Sequence, residues 1–360
     1  MKGLDKTMKK TQIKKTLALI ICLMLTATLF AGCKDKKPES SMPESSTSEF
    51  SSEPVSEEPS EPESGVFKIG LIQFVEHPSL DTIRESFITR LEEWGYDESK
   101  VEIDYQNASA DSATMNSICQ KFVGDEVDLI VAIATPAAQV AVSATQGTDI
   151  KVLFAAVNNP AEDLGIATPE APEGNVTGTS DQIPVQATID LALATNNITT
   201  FGLLYSSGES NSVASAKQAK EYCESLGVEV IEGTVSNSSE IAQVAADLCS
   251  KVDVVFTSTD NTIAASLPTV AAAALEADIP FYAGADSMVK DGALAAIGID
   301  YMELGKKNAD MAVELIEGRP VNEVPVVFFE KYETYINRNT QTSLRMTFGS
   351  EVEDKAIYFE

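Results

Sequence analysis

Apolar runs and polar corners alternate along this chain in an order that occurs twice. Residues 67–74 (FKIGLIQF) read as a strand opening onto a polar loop, and 200–207 (TFGLLYSS) repeat that pattern, with Gly70 matching Gly202. Each leads into an amphipathic stretch closed by a glycine, 87–95 and 214–227, and then into a second β-type run, 100–105 and 228–231. Residues 127–136 (VDLIVAIATP) and 252–261 (VDVVFTSTDN) are unbroken apolar runs that open onto a small polar turn and an alanine-rich helix. A further pair of runs follows those helices, 149–158 and 278–286. Continuous β-branched runs alternating with helical segments predict parallel strands buried on both faces. The fold class is therefore α/β, with two doubly wound parallel-sheet lobes of one βαβαβ layout.

Ligands in such open sheets sit beyond the carboxyl ends of the strands. In the first lobe those corners hold Phe74, Glu76, His77, Pro78 and Leu80, then Thr135, Pro136 and Ala137, then Asn158. In the second they hold Ser206, Ser207 and Asn211, then Asp260 and Asn261, then Asp286. Turns favour Ser, Asn, Asp and Pro in any protein. That accounts for a share of these residues, but less well for aromatic and charged ones gathering at the same corners. Residues 176–181 read as an extended segment leaving the first lobe and ending at Asp181, and 295–301 as a segment passing back and ending at Tyr301. A helix over 302–317 stops at Gly318, and 325–337 alternate like an edge strand. The expected lobes are 66–182 with about 302–325, and 183–301 with about 326–350. Two or three crossing strands would form a hinge that lets the lobes close on a ligand.

The N-terminus changes the picture. Six lysines precede an apolar stretch over 17–30, shorter than the roughly 20 residues that a spanning helix needs, so residues 1–32 read as a cleaved export signal. The stretch ends in LFAGC, which resembles the lipobox of bacterial lipoproteins with Cys33 as the acylated residue and Phe30 where a small aliphatic residue is usual. Residues 33–65 are rich in Ser, Glu and Pro, a composition that predicts a disordered tether. The expected location is the extracytoplasmic face of a cell membrane, of Gram-positive type, reached through the lipid anchor only. About 295 residues remain, enough for two lobes.

The formal charge is −29; the signal segment removes a net +5, leaving −34 on the rest. That charge disfavours nucleic acid or an anionic bilayer as a direct partner of the body. Cys119, Cys223 and Cys249 are too few and too scattered for a disulfide framework or a metal site and read as small buried hydrophobes. Trp94, the only tryptophan, reads as core.

Four stretches carry a family resemblance: 73–81 (QFVEHPSLD), 133–139 (IATPAAQ), 178–181 (GTSD) and 292–305 (GALAAIGIDYMELG). With the anchor and the duplicated lobes, they make the chain resemble the type I periplasmic binding proteins of ABC importers. Within these it is similar to the tryptophan/tyrosine (aromatic amino acid) transport branch. The resemblance implies capture of a small solute in the interlobe cleft, with an ABC permease and its ATPase as partners, and a monomer without cofactor or metal. It also implies that Glu76, His77, Pro78, Thr135 and Pro136 line the cleft. A solute sensor of the same fold, or a branched amino acid, nucleoside or sugar as ligand, remains open.

For an aromatic amino acid, residues 135–138 offer a helix N-terminus to the carboxylate, and Asp181, Asp260 and Asp286 are candidate acceptors for the ammonium. Phe74, His77, Leu80 and Tyr301 are candidate ring walls. His77 is the single histidine of the chain. No Gly-x-Ser-x-Gly elbow or paired nucleophile accompanies it, so it reads as a cleft-lining side chain rather than a catalytic base.

Overall fold

The computed structural model describes residues 65–195 and 197–360. The expected signal segment, Cys33 and nearly all of the tether lie outside the described residues. Strands β1 (Phe67–Gln73), β2 (Val101–Asn107), β3 (Leu129–Ile133), β4 (Lys151–Ala155) and β5 (Val176–Ser180) come first. Then follow β6 (Thr200–Ser206), β7 (Glu229–Val235), β8 (Val254–Phe256), β9 (Phe281–Ala283) and β10 (Ala295–Gly298). The short strands β11 (Val327–Phe328), β12 (Glu333–Asn337) and β13 (Ile357–Phe359) close the chain.

These form two sheets, ordered β11-β5-β4-β3-β1-β2 and β13-β12-β10-β9-β8-β6-β7. Every pairing is parallel except β10 with β12. β3 and β4 are apolar along nearly their whole length because helices cover both faces. Gly70 is set by packing: a Cβ there would come 2.6 Å from the Phe122 ring. The helix Tyr301–Ile316 packs on the helix Pro78–Glu93, and Gly305 makes the approach possible, since a Cβ would lie 2.5 Å from the Ile83 carbonyl oxygen. The three body cysteines are buried and free, with burial pushing the thiols up. No helix among the described residues is long and apolar enough to cross a membrane.

The chain passes between the sheets three times: after β5, after β10, and between β11 and β12. Three placements differ from expectation. Residues 295–298 are not a crossing segment but β10, an internal strand of the second sheet. Residues 325–337 are not one edge strand: β11 pairs with β5 in the first sheet, so the return falls near 329–332, and β12 lies between β10 and β13. The second sheet also continues to residue 359, past the expected end near 350. Trp94 is 52% exposed. It sits at the carboxyl end of the helix Pro78–Glu93, its Nε1 donates to Asp310 Oδ1 (2.7 Å), and the Arg90 guanidinium covers its ring at 5.1 Å. A cation and a carboxylate on another helix stabilise it at the surface in place of core packing.

Candidate functional site

The strand ends of both sheets meet around a narrow cavity with about 10 Å³ of free space. The first lobe supplies His77, Ser79 and Leu80. His77 leaves β1 in extended conformation at the N-cap, and Pro78 opens the helix Pro78–Glu93 at a position that needs no N–H. The first amides of that helix have no partner within it. The second lobe supplies Thr259, Asp260, Asn261, Ala264, Ala285 and Met288. The crossings supply Asp181, just after β5, and Tyr301, the first residue of its helix.

None of these eleven lining residues is Lys or Arg. The cavity is acidic nonetheless. Asp181 Oδ2 accepts from the Tyr301 hydroxyl (3.3 Å), while its Oδ1 is buried without a partner, and burial pushes the carboxyl up to about 6. Asp260 caps the short helix Asn261–Ala264, with Oδ1 accepting from Ile263 N (2.8 Å) and Oδ2 from Ser206 N (2.6 Å). Burial, reinforced by the nearby Glu209 carboxylate, raises it strongly. Burial lowers His77 to about 4, against its bond to Asn261, so the ring is neutral near pH 7.

The lobes touch directly. His77 Nε2 lies 3.1 Å from Asn261 Oδ1, and the hydroxyls of Ser79 and Ser287 are 2.6 Å apart. At the rim, Ser210 Oγ donates to Asp163 Oδ1 (2.6 Å) and accepts from Gln139 Nε2 (3.1 Å). The cleft is closed.

Of the residues singled out from sequence, His77, Leu80, Asp181, Asp260, Asn261 and Tyr301 come together on the cavity. Phe74 is in the apolar core, and Glu76 and Pro78 are exposed. Thr135, Pro136 and Ala137 open a buried helix that does not line this cavity, and Asn158 is also outside its lining. Ser206, Ser207 and Asn211 support the corner from behind: Ser206 holds Asp260, Ser207 Oγ donates to the Val235 carbonyl, and Asn211 Nδ2 donates to the Thr259 carbonyl. Asp286 is paired with Lys290 (2.8 Å) and does not line the cavity. A lysine one helical turn on satisfies it.

Sequence reasoning passed over Ser79, Thr259, Ala264, Ala285 and Met288. Ser79 was signalled by its place beside Pro78 in the first helical turn, whereas alanines carry no signal. It also passed over Glu209, the one carboxylate between Ser207 and Asn211, which is buried behind Asn261.

The family model for ABC transporter substrate binding proteins matches residues 68–358. A tyrosine-binding protein of Clostridioides difficile is 37% identical over 335 residues, covering 92% of this chain and 93% of its own. A Streptococcus pneumonia domain solved in complex with L-Trp is 36% identical, covers 82% of this chain and 99% of its own, and superposes with a TM-score of 0.78. The ligand-free, open structure of a Clostridium difficile substrate binding protein with adhesive properties is 38% identical over 82% and 99%, with a TM-score of 0.62. At near-equal identity, the chain thus matches the L-Trp complex better than the open form, as its interlobe contacts require. The two duplicated lobes, the cleft between them and these matches have one reading: the chain belongs to the ABC transporter substrate binding proteins of the type I periplasmic binding protein fold.

Proposed function

We propose that the chain captures an aromatic amino acid in this cavity and delivers it to an ABC permease driven by its ATPase, acting as a binding protein without catalysis of its own. One observation carries the solute class: a buried, unpartnered Asp181 oxygen faces no lysine or arginine in a cavity also walled by Leu80, Ala264, Ala285 and Met288. A carboxylate so buried favours a cationic group, and the apolar wall favours a ring. The names of the tyrosine-binding and L-Trp-bound relatives support the same choice. The ammonium would bond Asp181, and the carboxylate the free amides that open the helix Pro78–Glu93.

Burying about 150–250 Å² of ring surface at about 25 cal/mol/Å² stabilises by roughly 4–6 kcal/mol. Micromolar affinity requires about 8 kcal/mol net of association costs. The charged ends must supply the difference. Isothermal calorimetry against the twenty amino acids, nucleosides and sugars tests the reading. Tryptophan, tyrosine or phenylalanine is expected to bind tightest, and binding by a sugar or nucleoside with no aromatic amino acid binding would overturn it. The LFAGC pattern supports acylation of Cys33 and a site of action outside the membrane, which metabolic labelling with a fatty acid checks against Cys33→Ala.

A further inference from the structure

Behind the cavity, the buried carboxylate of Glu209 receives four donors. Asn261 N (3.2 Å) and Asn261 Nδ2 (2.6 Å) reach one oxygen, and Thr262 N (2.8 Å) and Thr262 Oγ1 (2.7 Å) reach the other. A carboxylate accepts and does not donate, so the Asn261 amide must turn its nitrogen to Glu209 and its oxygen to the other lobe. That oxygen meets His77 Nε2 at 3.1 Å. It cannot donate either, so Nε2 must carry the proton. A neutral imidazole has one proton to place, and Nδ1 is left as a bare acceptor. Nδ1 is indeed buried and unpartnered, on a side chain that lines the cavity.

We propose that Glu209 acts as a positioning residue which, through Asn261, fixes His77 in the Nε2–H tautomer, so that Nδ1 accepts a hydrogen bond from a donor group of the bound solute. Three observations meet here: the direction of the amide, the bond across the lobes and the unpartnered nitrogen. The low affinity of the buried ring for a second proton supports it, because a doubly protonated imidazole would offer no acceptor. Glu209 and Asn261 belong to the second lobe and His77 to the first, so the relay completes only when the lobes close. The donor it selects is an N–H or O–H: the solute ammonium, a phenol hydroxyl or an indole N–H. The inference rests on the solute reading above for the donor's identity, but the tautomer stands apart from it.

The single histidine makes the test direct, since 15N-histidine labelling of the full chain gives one pair of ring nitrogens. In the closed complex with L-Tyr at neutral pH, the ring is expected to show Nε2 protonated and Nδ1 of the unprotonated, pyridine type. Saturating L-Tyr should shift Nδ1 as it accepts a hydrogen bond. A bound ring protonated on Nδ1, or an Nδ1 signal unmoved by a solute that calorimetry shows to bind, overturns the proposal.

Glu209→Gln can donate to Asn261, which lets the amide reverse and moves the His77 proton to Nδ1. Affinity should then fall about 10- to 100-fold, the scale of a buried polar pair left mismatched. An equal loss for L-Tyr and L-Phe identifies the ammonium as the donor, and a loss for L-Tyr alone identifies the phenol. A folded Glu209→Gln that keeps wild-type affinity and tautomer also overturns the relay. Should that variant fail to fold, the wild-type spectra decide alone. Absence of binding by every aromatic amino acid, with the Nε2–H tautomer intact in the complex with another solute that does bind, counts against the solute reading and leaves the relay standing.

Discussion

Asp181 is the residue whose removal should separate binding from stability. Its carboxyl rises from an ordinary 3.8 to about 6, chiefly because burial penalises the charge, with the Tyr301 hydroxyl opposing at 3.3 Å. A carboxyl with a raised value in the folded state favours folding when protonated. Stability is therefore highest at low pH for this group, falls as pH rises from about 4 to 6, and carries the full deficit above. The gap between 3.8 and about 6 corresponds to about 3 kcal/mol at pH 7. Asp181→Asn removes the buried charge and keeps an oxygen for Tyr301. In the solute-free protein it should raise Tm at pH 7 by up to about 6 °C, at about 2 °C per kcal/mol for a body of this size. It should also compact the solute-free chain in small-angle scattering, because the charge no longer resists closure. Binding should move the opposite way. Losing a charged hydrogen bond to the solute ammonium costs about 1.5–3 kcal/mol, or roughly 10- to 100-fold in Kd. Wild-type affinity should weaken as pH falls through about 6, and the variant should lack that step. Differential scanning fluorimetry and calorimetry on the same samples measure both. A variant that binds as tightly as wild type, or that melts earlier at pH 7, refutes the assignment.

The other predictions concern closure, packing and the tryptophan. Ser210→Ala breaks both rim bonds, to Asp163 and from Gln139, at an exposed position that does not line the cavity. It should weaken every solute alike, by about 2- to 5-fold as expected for exposed hydrogen bonds, and an unequal effect on L-Tyr and L-Phe in calorimetry would count against a pure closure role. Gly305→Val drives a side chain into the Ile83 carbonyl between two packed helices and should destabilise by about 3 kcal/mol or more, read as a lower urea midpoint. Trp94 is exposed at the far end of the helix whose first turn meets the cavity. Its emission should therefore stay flat while L-Phe is titrated to saturation, and a large quench would show that the helix packing changes on binding.

The two sheets are legible in the sequence because a parallel strand buried on both faces leaves an unbroken apolar run, as at 129–133 and 151–155. The tail is not, because alternation says which face a residue takes but not which sheet accepts the strand. Residues 327–328 and 333–337 fall within one stretch that reads as an edge strand, yet they pair in different sheets. At the cavity, strand-end position points to His77, Asp181, Asp260 and Asn261, which do come together there. It also points to Asp286, although Lys290 four residues on is a visible reason for that carboxylate to be satisfied locally. Trp94 misleads for a similar reason: size and hydropathy place it inside, while Arg90 over its ring and the tertiary meeting with Asp310 hold it out. Ala264, Ala285 and Met288 take their importance from where the second lobe folds them, which composition cannot encode.

Closure itself follows from the same buried atoms. Asp181 Oδ1, His77 Nδ1 and Thr259 Oγ1 all belong to residues that line the cavity, and all are buried without a partner. Each such atom opposes burial by about 1–3 kcal/mol, so three oppose closure by roughly 3–9 kcal/mol unless a solute bonds them. Against this stand four direct bonds between lobes, His77 with Asn261, Ser79 with Ser287, and Ser210 with both Asp163 and Gln139, at about 0.5–1.5 kcal/mol each. These sum to roughly 2–6 kcal/mol, a range that overlaps the opposing one and leaves the closed form near balance without a solute. A solute that bonds the three atoms removes the opposing term and adds the burial of its ring. The selectivity of the site and the trigger for closure are then one property, because only a solute whose donors reach these atoms makes the closed form the stable one.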